Sequence, residues 1–76
     1  MPRTTALRRL GRRIADLREA RSVTQEVLAR RLDVSVRTIA GIEAGASTTT
    51  QTLVEIAQVL GVELEALFAR VVKPRR

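Results

Sequence analysis

Between Thr24 and Gly45 the run TQEVLARRLDVSVRTIAGIEAG leaves room for two short helices and a tight turn, and for little else. Thr24 is a candidate N-cap, because its hydroxyl can accept a hydrogen bond from an unpaired amide of the first turn. Val23 and Leu28 sit at the N′ and N4 positions of a hydrophobic staple, which sets the angle at which the chain enters the helix. Leu28, Ala29 and Leu32 then recur at helical spacing until Asp33, a residue that tolerates the left-handed conformation, breaks the run. Ser35 caps a second helix two residues later, with Val34 and Ile39 repeating the staple. That helix buries Ile39 and Ile42 and ends at Gly45, its C′ residue. Two capped helices joined so closely must cross steeply.

The flanking segments read as support for this pair. Residues 1–5 form a flexible arm, since Pro2 and two threonines precede any periodic pattern, and Thr4 or Thr5 caps the first helix. Leu7, Leu10, Ile14 and Leu17 follow as a stripe on one face of a helix that runs to about Arg21. Arg8, Arg9, Arg12 and Arg13 cover its other sides, either as a solvated face or with Arg9 or Arg13 lying along a phosphate backbone. After Gly45 comes the longest break, rich in hydroxyls. Thr49 or Thr50 then caps a fourth helix, with Leu53, Ile56, Ala57 and Leu60 inward and Gly61 as its stop. Val62 and Glu63 lead into a short fifth helix carrying Leu64, Leu67 and Phe68. One domain therefore spans residues 6–70, and residues 71–76 form a basic tail that cannot continue a helix past Pro74.

Composition narrows the chemistry. A chain of 76 residues forms a single small core. It contains no cysteine and no histidine, which excludes disulfides and thiol chemistry and argues against acid–base catalysis near neutral pH. Neither an enzyme nor a cofactor is expected, and a metal site would have only carboxylates to draw on. Thirteen arginines and one lysine against eight acids give a net charge of +6, which favours polyanions, whether nucleic acid or an anionic lipid surface. The one aromatic residue, Phe68, makes no platform for stacking single-stranded bases. With neither a membrane-length apolar run nor a signal-peptide core, the expectation is a soluble cytoplasmic protein with no membrane partner.

The LREARSVTQEVLARRLDVS run, the small Ala29 where the two helices touch, Ile39 and Ile42 inside the second helix, and the IEAG ending resemble the XRE family, the group of lambda repressor and Cro. The resemblance extends from about Leu10 to Leu67. It implies an all-α, compact five-helix lambda-repressor-like DNA-binding domain with its helix-turn-helix at helices 2 and 3. It also implies that Arg18 pairs with Glu43 near the end of the recognition helix while keeping donors for a phosphate. Gln25 would contact a phosphate, with Thr24 and Ser35 at the two helix starts and Ser47 in the following loop doing the same. The chain departs from the family's pattern in places. Val27 stands where many relatives carry glutamate, no proline lies near Thr48, and Ala40 and Gly41 stand where longer polar side chains are common.

Position in the motif puts Val36, Arg37 and Thr38 at the end of the recognition helix that enters the major groove. Arg37 can give two hydrogen bonds to guanine O6 and N7, Val36 can lie against a thymine methyl, and Thr38 can reach a base or a phosphate. Gly41, the next outward position, costs about 1 kcal/mol against alanine inside a helix and either admits close backbone approach or is tolerated at a loss. So few long side chains leave room for readout through DNA shape. Leu64, Phe68 and Val71 form either a two-fold interface or core and tail. The expected function is a sequence-specific regulator of transcription that binds double-stranded DNA as a homodimer, as a repressor or autoregulator. The alternative is an antitoxin or other protein-interaction module, with a toxin or a polymerase as protein partner.

Overall fold

The computed structural model describes residues 3–69. Four α-helices, α1 (Arg3–Ala20), α2 (Gln25–Leu32), α3 (Val36–Glu43) and α4 (Thr50–Leu60), are followed by a 3-10 turn at Leu64–Phe68, and the described residues contain no strand. The all-α class is the one expected, but the fifth element is not an α-helix. Its five residues offer little over one turn, too short to repay helix nucleation, and Glu63 makes no side-chain cap. The Ala66 amide donates to the Glu63 carbonyl at 2.9 Å, the tighter i to i+3 pattern.

Helix α1 also begins earlier than expected. It takes in Arg3, Thr4 and Thr5, so neither threonine is its cap. The Ala-Leu-Arg-Arg-Leu run that follows is made of strong helix formers, and each residue added at the end gains a bond without a new nucleus. Met1, Pro2 and residues 70–76, with them Val71 and the basic tail, lie outside the described residues.

The caps of the next three helices follow local chemistry. Thr24, Ser35 and Thr49 have extended backbones, and their hydroxyls accept from the amides of Val27, Thr38 and Thr52, each at 3.1 Å. Asp33 adopts the left-handed conformation (φ 58°) that ends α2, and Gly45 (φ 111°) turns the chain away after α3. Ser22 is left-handed as well, at φ 57°. The Val23 amide there donates to the Arg18 carbonyl at 3.1 Å and closes the end of α1. Of the two staples, Val23 packs on the core while Val34 remains 36% exposed.

Two apolar clusters hold the helices. Ile14, Leu17, Ile42, Leu53, Ile56, Ala57, Leu60 and Leu67 form the larger, joining α1, α3 and α4 to the terminal turn. Leu28, Ala29 and Ile39 form the smaller between α2 and α3, and Ala29 lets those two helices close on each other. Leu7, at the outer end of the α1 stripe, is only half-buried. Burying each large aliphatic side chain contributes about 1.5–3 kcal/mol. The core thus fixes the crossing of α2 and α3 and leaves one side of α3 uncovered.

Candidate nucleic-acid interface

On α3, Ile39 and Ile42 point inward, while Val36, Arg37 and Thr38 are exposed. At about 100° per residue, Arg37, Gly41 and Ala44 fall on one outward line. Arg37 makes no hydrogen bond or ion pair among the described residues, so its guanidinium is available to a partner. Thr38 is less free: its Oγ1 lies 2.9 Å from Ser35 Oγ, tying it to the cap. Gly41 has no internal reason to be glycine. A Cβ placed there would meet only Ala46 Cβ, at 3.8 Å, an ordinary contact.

Behind this face lies a charged brace. Arg18 Nε donates to Glu43 Oε2 at 2.7 Å and Nη2 donates to Oε1 at 3.1 Å, a two-pronged pair across α1 and α3. Nη1 donates to the Val23 carbonyl at 2.8 Å, and Nη2 also lies 3.6 Å from Glu19. The two side chains keep 11% and 8% of their exposure. Arg18 is therefore a brace, and of its five N–H donors three are used in these hydrogen bonds, which leaves one on Nη1 and one on Nη2 without a hydrogen bond among the described residues. The hydrogen bond to Glu43 holds the Arg18 guanidinium above its ordinary range against the opposing effect of burial, with Glu43, Glu19 and Glu26 adding attraction. Since the folded-state value is the higher one, this stabilisation is complete below the ordinary arginine pKa and is lost only as pH rises past it. Neutral pH leaves it intact.

Gln25 joins the same cluster. Its Nε2 donates to Glu43 Oε1 at 2.9 Å, orienting the amide at the start of α2. Its second N–H has no partner among the described residues. The Thr24 and Ser35 oxygens are occupied by their cap amides, though both residues are exposed. Ser47 is exposed in the loop between α3 and α4.

Arg13 is placed elsewhere. Its Nε donates to the Ala66 carbonyl at 2.8 Å, binding α1 to the terminal turn. Two residues beyond Gly11, it stands about 160° round the helix from the side that meets α3. The hydrogen bond makes Arg13 a strut between α1 and the terminal turn, while its Nη1 and Nη2 make no hydrogen bond among the described residues. At the same terminus Leu64 is half-buried against the larger cluster and Phe68 is 58% exposed.

Two positions that matter to this geometry carried little signal. A Cβ on Gly11 would collide with the Ile42 carbonyl oxygen and lie 2.6 Å from that of Glu43, so glycine permits the α1–α3 approach that positions the recognition face. An isolated glycine inside the α1 stripe was the available clue. Ser22 had none, as serine is no strong marker of the left-handed conformation.

Two capped helices crossing at a tight turn, with the outward side of the second uncovered and carrying Arg37 and Thr38, define a DNA-binding helix-turn-helix module. The chain belongs to the XRE-type helix-turn-helix family, whose family model, described as helix-turn-helix, matches residues 14–67. That family comprises DNA-binding regulatory domains. No curated protein matches the sequence. No helix among the described residues is long and apolar enough to cross a membrane.

Proposed function

We propose that the protein is a sequence-specific regulator of transcription that reads double-stranded DNA through the major groove with α3, acting as a homodimeric repressor or autoregulator. The observation that carries this reading is the exposed Arg37, without a partner among the described residues, on the outward line of α3 between Val36 and Thr38. Arg37 addresses guanine, Val36 a thymine methyl, and Gly41 brings the helix backbone close to the base edges. Thr24, Gln25, Ser35 and Ser47 receive phosphates, Gln25 through the amide hydrogen that Glu43 leaves free. The exposed Phe68 supports a two-fold interface at the terminal turn, with Leu64 at its edge, which would set half-sites roughly 34 Å apart.

Selection from a random duplex pool near physiological salt tests this directly. The expected result is a two-fold symmetric consensus with a guanine in each half-site. Failure to enrich any sequence would transfer the role to protein binding, with the basic charge supplying only general DNA affinity.

A further inference from the structure

The loop beyond α3 poses an electrostatic problem. From Ala44 to Val54 the chain has no charged residue, so the loop offers hydroxyls and amides alone. The C-terminal end of α3 carries partial negative charge, which repels a phosphate. Yet the outward side of α3 delivers this loop to the groove edge: Arg37 to Ala44 spans about 10 Å along the axis. That is comparable with the roughly 12 Å width of the major groove.

We infer that Arg8 supplies the missing charge and clamps a DNA phosphate at the end of α3, an assignment that rests on the DNA-binding reading of the α3 face. Gly45, with its positive φ, turns the backbone against α1. A Cβ placed on it would lie 2.9 Å from Arg8 Cγ and 3.5 Å from Arg8 Cα, so the stem of Arg8 lies directly against the first residue of the loop. Arg8 is exposed, and it has no acidic or hydrogen-bonding partner among the described residues. The other arginines of α1 near it are committed or face elsewhere. Arg12 pairs with Asp16 at 3.4 Å, Arg13 holds Ala66, and Arg18 is enclosed with Glu43. Arg9 stands about 160° round the helix from Gly11. Carried on a stem that lies against Gly45, the guanidinium can swing over the end of α3, where it offsets the negative end of the helix and presents a fork that matches a phosphate.

Two charge-matched variants separate this role from general basicity. Arg8→Met keeps an aliphatic stem against Gly45 and removes the charge, while Arg9→Met removes the same charge from the other side of α1. Duplex affinity is measured from 50 to 200 mM KCl on the selected site and on random-sequence duplex. Arg8→Met should lose about one unit of salt slope and bind roughly threefold to tenfold more weakly at the low-salt end, on both duplexes. Arg9→Met should keep the wild-type slope. Equal changes in the two variants would overturn the clamp, and so would an unchanged slope in Arg8→Met, which would leave Arg8 a role in the fold alone. Absence of wild-type binding to any duplex would instead refute the DNA-binding reading, a result that needs neither variant.

Discussion

Gly11 and Glu43 meet backbone to backbone, close enough that a single added carbon at Gly11 would stand 2.6 Å from the Glu43 carbonyl oxygen. This contact sets how deeply α3 sits against α1, and with it how far the recognition side projects. Alanine is the better helix former by about 1 kcal/mol, so an exposed helix would gain from Gly11→Ala. Here the obstruction is backbone, which cannot swing aside. Gly11→Ala should therefore destabilise the protein by about 1–3 kcal/mol in urea melts. A raised midpoint would mean that α1 and α3 separate without penalty.

The Arg18–Glu43 pair depends on both partners. Glu43→Ala leaves a guanidinium enclosed with only the Val23 carbonyl and the distant Glu19, and also strips Gln25 of its acceptor. The expected loss is about 3–5 kcal/mol. Replacing both residues together, Arg18→Met with Glu43→Leu, should lose less than the single change. A double variant weaker than Glu43→Ala in the same melts would show that the pair contributes more than the burial it demands.

Gly41 separates folding from recognition. Its neighbourhood accepts a methyl group, so Gly41→Ala should stabilise α3 by up to about 1 kcal/mol. If α3 lies close to the base edges, the same methyl should weaken binding to the selected duplex. A variant that is both more stable and equally tight would show that DNA stays clear of this position.

These contrasts also show where the fold is legible in the chain. Thr24, Ser35 and Thr49 declare their helices because a cap bonds an amide three residues away, and the signal lies within one turn. The apolar stripes are legible for the same reason, since burial selects a period. Arg13 reaches Ala66 across 53 positions, and its type alone does not separate a strut from a phosphate ligand. Gly11 is fixed by a surface that exists only after α3 has docked. The terminal turn resembles a helix in its Leu64, Leu67 and Phe68 spacing, but burial of Leu67 needs only one tight turn, which a 3-10 segment provides. The Arg18–Glu43 pair was legible only through the family resemblance, because nothing local links residues 25 positions apart.

Phe68 offers a test of assembly that leaves the core alone. The side chain is 58% exposed beside the fully buried Leu67, so a charge at position 68 faces water in a monomer and a partner in a dimer. Phe68→Asp should leave the urea midpoint nearly unchanged at low protein concentration, where little dimer forms. In sedimentation it should shift the protein toward monomer, and it should weaken binding to a two-half-site duplex much more than to a single half-site. If the mass and both affinities stay as in the wild type, the two-fold contact lies elsewhere on the surface. Loss of stability without a change in mass would make Phe68 a cover for Leu67 and the terminal turn.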